Sequence, residues 1–143
     1  MSGPHPLGIS ESHMPRVRKL LLSLALILGL AGTGLAVPAA AQAAVYQTCT
    51  ISRCSAARTA FTGWQTLGWP LSSGWYSWPY GNYNYTGGTF QNREGYLPTA
   101  TYNEYDVYSR ARGASRDAYR IVVNRSTKVA YFTPDHYVTF YKL

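Results

Sequence analysis

The sequence is poor in the side chains that bind metal ions. Its 143 residues include two cysteines and three histidines, and two of the histidines, His5 and His13, lie ahead of the longest apolar run. Two thiolates and one histidine cannot complete the four ligands of an ordinary structural zinc site. The composition therefore predicts neither a metal centre nor a cofactor, and it leaves His136 as the single histidine of segment 44–143.

Acidic side chains are also scarce. Residues 44–143 contain five Asp or Glu against ten Lys or Arg, and eight of those ten are arginines. This balance favours a polyanionic partner, because guanidinium groups match phosphate oxygens and counterion release aids binding. The alternative is a positive charge that serves solubility or adhesion, since net charge alone does not identify a partner.

One long apolar run, residues 20–36, follows a basic segment and precedes an A-x-A motif at residues 41–43. This order predicts a secretory signal peptide that is cleaved after the motif, with Met14 as a candidate start. An uncleaved membrane anchor is the alternative, but the run is short for a membrane span. We therefore predict a signal region at 1–43 and a small secreted domain at 44–143, with no membrane contact after cleavage.

The two cysteines, Cys49 and Cys54, fall at the start of that domain. In an exported chain a cysteine pair predicts a disulfide. Residues five apart in a regular helix lie too far from each other to form this bond, so the segment between them is predicted to be non-helical.

A helix is predicted directly after the second cysteine. Ser55 is the expected N-cap, and Gly68 with Pro70 ends the pattern. Apolar residues recur between them at helical spacing and predict a core-facing stripe: Ala57, Ala60, Phe61, Trp64 and Leu67. The aromatic-rich stretch 72–89 is predicted to be a loop-rich lid packed on that core. Stacking of its rings on bases is the alternative.

The remaining chain predicts four to five antiparallel strands. Alternating or apolar runs end at Phe90, cover 101–108, begin again at Arg120 and 128, and finish at the C-terminus. In the last strand Val138 and Phe140 are expected on one face, with the single histidine at the strand end. An N-terminal helix packed on a twisted antiparallel sheet, in a single small domain, belongs to the α+β class.

The predicted sheet offers groups for acid–base chemistry at a phosphate. Glu104 and Asp106 lie on one face of a predicted strand, Arg116 and Arg120 lead into the next, and His136 lies at a strand end. A carboxylate base, a histidine acid and guanidinium groups are the parts that such a reaction needs. Each part also has a structural interpretation, in which the carboxylates only pair with the arginines and the histidine caps a turn.

Four motifs carry a resemblance to a known family. FQNREGYLP (90–98), NEYDV (103–107), RDAYRIVV (116–123) and TPDHYVTFYKL (133–143) together resemble the secreted bacterial guanyl-specific ribonucleases, the barnase-like family. The resemblance implies an active site across the face of an antiparallel sheet. It also implies an endoribonuclease that cleaves single-stranded RNA 3′ of guanosine through a 2′,3′-cyclic phosphate, by metal-independent acid–base catalysis.

The resemblance implies roles for the catalytic residues by position in these motifs. Glu104 corresponds to the general base and His136 to the general acid. Arg116 and Arg120 correspond to the pair that holds the phosphate, and Tyr137 corresponds to the tyrosine that follows the acid.

The resemblance also implies how the base is recognised. The carboxylate of Glu94 would accept hydrogen bonds from guanine N1–H and the exocyclic amine, while Phe90 and Arg93 would flank the base plane. Backbone amides of the turn would face O6 and N7. The full substrate-binding set is Phe90, Gln91, Asn92, Arg93 and Glu94. Behind the reacting groups, Asp106 corresponds to the acid that fixes the two arginines.

Partners follow from the same resemblance. Single-stranded RNA is the implied substrate, a barstar-like protein inhibitor is a candidate partner, DNA is not a partner, and a monomer is expected. The competing interpretation is a non-catalytic secreted module that binds RNA or an anionic glycan. The joint presence of Glu104, Arg116, Arg120 and His136 argues against it, because a binder needs no acid–base pair.

Overall fold

The computed structural model describes residues 44–143. The predicted signal region 1–43, with Met14 and the apolar run, lies outside the described residues. One helix and seven strands follow in chain order: β1 (Ala44–Tyr46), α1 (Cys54–Thr66), β2 (Gly74–Ser77), β3 (Tyr83–Phe90), β4 (Tyr102–Asp106), β5 (Arg120–Asn124), β6 (Ala130–Thr133) and β7 (Thr139–Lys142). Within residues 44–143, no helix has the length and apolar character needed to cross a membrane.

All seven strands belong to one sheet in the order β1-β7-β6-β5-β4-β3-β2. Neighbouring strands are antiparallel except β1 and β7, which are parallel. The α+β class is confirmed, but the prediction of four to five antiparallel strands is wrong, since the sheet is mixed and has seven. The prediction missed β1 because three residues are too few to show a period-2 pattern.

The aromatic-rich stretch forms a hairpin and not the predicted loop-rich lid. Strands β2 and β3 pair antiparallel, and the N–H of Trp78 donates to the carbonyl oxygen of Asn82 at 3.0 Å across the turn. Gly81 and Asn82 have φ of 100° and 61°, a conformation that Gly and Asn tolerate best. The residues that indicated a long loop therefore make one turn between two strands.

Helix α1 begins at Cys54 with Arg53 as its N-cap, so the prediction of Ser55 as N-cap is wrong. The N–H of Cys54 already donates to the carbonyl oxygen of Ile51 at 3.0 Å, which places the first turn ahead of the serine. The predicted stop is confirmed, because the helix ends at Thr66 and Gly68 follows with φ of 72°.

The main core lies between α1 and one face of the sheet. Trp64 is fully buried there, and its ring lies 4.9 Å from that of Tyr105 and 5.0 Å from that of Trp78. The indole N–H of Trp64 donates to the carbonyl oxygen of Asp106 at 2.9 Å. The helix is therefore fixed directly to the end of β4, the strand that carries Glu104, the predicted general base.

A second, smaller core lies on the opposite face of the sheet. It consists of Leu97, Tyr102, Val122, Tyr131 and Phe140. Because side chains alternate between faces along a strand, β5 contributes to both cores and is buried over most of its length. This explains the apolar run that follows Arg120.

The last strand starts later than predicted. Phe140 is fully buried, whereas Val138 is 49% exposed, so the two do not share a buried face. His136 and Tyr137 have φ of 57° and 75° and form a turn, and β7 begins only at Thr139. The expected alternation across Val138 is wrong because this turn precedes the strand.

The predicted disulfide joins Cys49 to Cys54, whose Cα atoms lie 5.7 Å apart. The bridge leads directly into α1, and both cysteines are buried in the main core. It therefore fixes the segment between β1 and the helix.

Replacing Cys49 and Cys54 together by serine should lower the free energy of unfolding by about 2 kcal/mol, the value that loop-closure entropy gives for so short a loop. Urea unfolding of the variant and the parent measures this difference. The exposed Ser55, changed to Ala, is the control. Equal midpoints and slopes for variant and parent would contradict the prediction.

Candidate active site

A cleft of about 510 Å³ opens on the sheet face opposite α1. Three segments line it, namely the end of β3 with the loop that follows, the middle of β4, and the turn before β7. The cleft brings together eight of the residues selected from the sequence: Phe90, Gln91, Asn92, Arg93, Glu94, Glu104, His136 and Tyr137. Arg116 forms an ion pair with Glu104, one of the lining residues. Arg120 and Asp106 pair with each other behind the cleft.

Glu104 projects into the cleft from β4, next to a glycine of β3. A Cβ atom added at Gly87 would overlap the carboxylate of Glu104, so glycine leaves the space that this side chain occupies. The register of β3 shifts between Thr86 and Gly88, and the hydroxyl of Thr86 donates to the backbone carbonyl of Glu104 at 2.8 Å. The sequence analysis did not assign Gly87 a role. The available signal was the pair Gly87-Gly88, because glycine inside a strand often marks a bulge or a close approach of another group.

One buried carboxylate, that of Asp106, faces three guanidinium groups. Arg116 donates to it through Nε and Nη2, at 3.1 Å and 2.6 Å. The Nε atom of Arg120 lies 3.1 Å and Nη2 of Arg110 lies 3.6 Å from its oxygens. Nη2 of Arg116 also donates to Oε1 of Glu104 at 3.2 Å. Asp106 therefore holds the guanidinium of Arg116, which contacts Glu104, the predicted general base.

The two predicted phosphate-binding arginines differ in environment. Burial lowers the pKa of Arg116, but hydrogen bonds and charge from Asp106 and Glu104 outweigh it, and the pKa lies above its ordinary value. Burial lowers the pKa of Arg120, and the attraction of Asp106 does not fully offset it. Both groups stay protonated near neutral pH, as arginine does in proteins.

Arg120 does not reach the cleft. Its side chain is 3% exposed, and Nη1 donates to the carbonyl oxygen of Tyr119 at 2.8 Å. The Arg116 side chain is 27% exposed and is the one of the two that a ligand can contact. The sequence analysis assigned both arginines to the phosphate, because spacing along the chain does not indicate depth.

Arg110 and Asp117, to which the sequence analysis assigned no role, stabilise the loop 107–119 between β4 and β5. Arg110 donates to a carboxylate oxygen of Asp117 at 2.8 Å and to the carbonyl oxygen of Ser115 at 2.8 Å. Asp117 also accepts from Arg120 at 3.3 Å. The i, i+3 spacing of Asp117 and Arg120 was the available signal.

The turn that carries His136 is held by Asp135. Its Oδ1 accepts hydrogen bonds from the hydroxyl of Thr133 at 3.1 Å and from the amides of Val138 and Thr139 at 3.2 Å and 2.8 Å. Burial raises the pKa of Asp135, but these hydrogen bonds outweigh it, so the pKa lies below its ordinary value. The turn presents His136 at the cleft, where its side chain is exposed.

The loop after β3 is held by Asn92. Its side-chain amide donates to the carbonyl oxygen of Leu97 at 2.8 Å, and its side-chain oxygen accepts from the Leu97 amide at 3.1 Å. Asn92 adopts φ of 46°, and Arg93 and Glu94 beside it are exposed. At the start of the loop, the ring of Phe90 lies 4.9 Å from that of Tyr137. Two aromatic rings and one exposed carboxylate therefore border the same end of the cleft.

This arrangement can catalyse proton transfer at a phosphate ester. A carboxylate in contact with a guanidinium, and an exposed histidine lining the same cleft, supply a base, a positive charge and an acid. The rings of Phe90 and Tyr137, whose centroids lie 4.9 Å apart at the cleft, offer a surface on which a further aromatic ring can pack.

Comparison with known proteins agrees with this geometry. A family model described as ribonuclease matches residues 40–143, which is more than half of the chain. Guanyl-specific ribonuclease Sa of Kitasatospora aureofaciens is 40% identical over 60 residues, covering 41% of this chain and 62% of the relative. Guanyl-specific ribonuclease Sa3 of the same organism is 41% identical over 61 residues, covering 41% of this chain and 43% of the relative.

The chain spans less than two thirds of the length of either of these relatives. The match of the family model nevertheless extends over all of the described helix and strands. The resemblance seen in the four sequence motifs is thereby confirmed, and the chain belongs to the ribonuclease family.

Proposed function

We propose that the protein is a secreted guanyl-specific endoribonuclease. It cleaves single-stranded RNA 3′ of guanosine by transphosphorylation to a 2′,3′-cyclic phosphate, which is then hydrolysed, and neither step uses a metal ion. The observation that carries this proposal is the contact of Glu104 with Arg116 at 3.2 Å at a cleft that His136 also lines. The names of the two relatives support the base preference.

The guanine base binds at the end of the cleft formed by the loop after β3. Glu94, whose carboxylate is exposed there, accepts hydrogen bonds from N1–H and the exocyclic amine. Phe90 and Tyr137 offer ring faces to the base plane, and the backbone amides of Gln91 and Arg93 face its other edge. Charged hydrogen bonds of this kind discriminate well, because a base that lacks the donors leaves a carboxylate unpaired.

In the first step Glu104 takes the proton of the 2′-hydroxyl, and the freed oxygen attacks phosphorus. The bond from phosphorus to the 5′-oxygen breaks as His136 protonates that oxygen. Arg116 stabilises the negative charge that grows on the phosphoryl oxygens. In the second step His136 takes a proton from water, and the water oxygen attacks the phosphorus of the cyclic phosphate. The bond from phosphorus to the 2′-oxygen breaks as Glu104 returns its proton to that oxygen.

Asp106 and Arg120 act behind the reacting groups. Asp106 fixes the orientation of Arg116 through three hydrogen bonds. Arg120, which is buried beside the same carboxylate, adds positive charge without contacting the substrate. Charges held in advance in this way stabilise the transition state at little reorganisation cost.

The predicted signal sequence and the Cys49–Cys54 disulfide support export, since such bonds form and persist in oxidising compartments. A barstar-like inhibitor and a monomeric state stay predictions.

A digestion in excess EDTA tests the activity. The purified protein should shorten single-stranded RNA, and the products should end in guanosine 2′,3′-cyclic phosphate or guanosine 3′-phosphate. A non-catalytic module that binds RNA or an anionic glycan would leave the RNA intact. Cleavage that appears only on addition of a divalent ion would contradict the proposed mechanism.

Replacing His136 by Ala should lower the transphosphorylation of RNA by about two to four orders of magnitude, the range for a lost general acid. The loss should be much smaller with guanosine 3′-(4-nitrophenyl phosphate), because nitrophenolate leaves without protonation. Initial rates on both substrates measure the difference. An equal loss on both, in a folded variant that still binds guanosine 3′-phosphate, would show that His136 is not the acid.

Replacing Glu94 by Gln should reduce the preference for guanine more than the chemistry of cleavage, because the amide cannot accept from both guanine donors. Values of kcat/KM for GpA and ApA should approach each other in the variant. Glu104→Gln is the matched control and should lower both values by the same factor. A Glu94 variant that behaves like this control would contradict the assignment.

Replacing Gly87 by Ala should lower kcat by about 100-fold, because the new methyl group displaces the Glu104 carboxylate and small displacements of catalytic groups are costly. The same substitution made in a Glu104→Gln background should add little further loss, as expected for residues that act through one contact. Additive losses in the double variant would mean that Gly87 acts elsewhere.

A further inference from the structure

Three aromatic side chains lie on the sheet face that carries Glu104. Trp75 of β2 pairs with Tyr85 of β3, so both side chains lie on one face, and their rings are 5.2 Å apart. Tyr83 lies two residues before Tyr85 and shares its face. The neighbouring Thr86 is paired with a residue of the main core, which places this aromatic set on the cleft side.

These three rings are not needed for the hydrophobic cores. None of them belongs to either of the two hydrophobic clusters formed by residues 44–143, whereas the alternate residues Tyr76 and Trp78 pack around Trp64. Tyr83 is 37% exposed, and Trp75 and Tyr85 are partly exposed. The hairpin therefore buries one set of aromatic residues and presents the other to solvent.

The exposed set is continuous with the cleft through Arg116. The guanidinium carbon of Arg116 lies 4.4 Å from the ring centroid of Tyr85, and the same guanidinium donates to Glu104. The hydroxyl of Tyr85 is hydrogen-bonded to that of Ser73 at 2.9 Å, which fixes the ring. Aromatic rings beside a guanidinium are the components with which proteins bind single-stranded nucleic acid.

The order of groups along β3 gives the direction of the bound RNA. Under the proposed function, guanine binds beyond Phe90 at one end of the strand, and the cleaved phosphate lies at Glu104 and Arg116. Tyr85 lies five residues before Phe90, or about 16 Å along an extended strand. A chain that continues past the phosphate away from guanine therefore reaches Trp75 and Tyr85 with its next nucleotide.

We propose that Trp75 and Tyr85 form a stacking site for the base of the nucleotide 3′ of the cleaved phosphate. The inference rests on the proposed function for the position of guanine, and it adds a second nucleotide to the site. Any base can occupy it, because stacking uses the ring face and no base edge. The enzyme should then favour RNA over guanosine esters that lack a second base.

Binding of uncleavable ligands tests the site separately from catalysis. The 2′-deoxy dinucleotide dGpdA has both bases, and the methyl ester of 2′-deoxyguanosine 3′-phosphate lacks the second. Calorimetric titration of the unmodified protein should show about tenfold tighter binding of dGpdA, within the range of one base stacked on aromatic rings. Equal affinities for the two ligands would overturn the proposal.

Replacing Trp75 by Leu should weaken the binding of dGpdA about tenfold and leave that of the methyl ester unchanged. Tyr80→Leu is the matched control, since Tyr80 is a 56% exposed ring of the same hairpin that contacts Trp78 and lies outside the proposed site. It should alter neither affinity. A Trp75 variant that weakens both ligands equally would overturn the proposal, and the comparison on unmodified protein stands if the variant does not fold.

Failure of the proposed function gives a different result. Unmodified protein that binds dGpdA more tightly than the ester but leaves RNA intact would retain the stacking site and refute the ribonuclease activity. Protein that cleaves RNA after guanosine but binds both ligands equally would retain the activity and refute the stacking site.

Discussion

The structure depends on the buried carboxylate of Asp106. Its side chain is fully buried and faces three guanidinium groups, while its backbone carbonyl accepts from the indole of Trp64 and the side-chain amide of Asn84. One residue at the end of β4 thereby joins the core beneath the sheet to the charged face above it. A buried charge is tolerated only when it is paired and hydrogen-bonded, so this position requires the arginines as much as they require it.

The pairing of Asp106 with the arginines also determines which of them is accessible to a ligand. Arg120 is drawn beneath the surface, and Arg110 is engaged by Asp117. Arg116 keeps part of its side chain exposed and divides its hydrogen bonds between Asp106 and Glu104. Of the three arginines around Asp106, Arg116 is therefore the most accessible, and the other two place positive charge behind it. Because low-dielectric surroundings strengthen such fields, the buried charges contribute although they touch nothing in the cleft.

The sequence was most informative where local pattern and burial agree. The stripe ending at Leu67 defined α1, and the run from Ile121 to Val123 defined a strand that is buried on both faces. The cleft residues were found through motifs, because Glu94, Glu104 and His136 are far apart in the chain. The burial of individual side chains could not be predicted, since nothing in the spacing shows that Arg120 is buried and Arg116 accessible. The hairpin was missed because Gly and Asn indicate a long loop and a tight turn equally well.

Strand β1 pairs in parallel with β7, so the first and last described segments of the domain lie side by side. Such a pair closes a loop of nearly the whole described chain, and its entropic cost must be met before the contact stabilises anything. Contacts of this range slow folding. The turn that presents His136 leads directly into β7, so the position of this histidine is set only when the last strand docks. Assembly of the cleft therefore follows the synthesis and docking of β7, and a domain that still lacks this strand lacks the cleft.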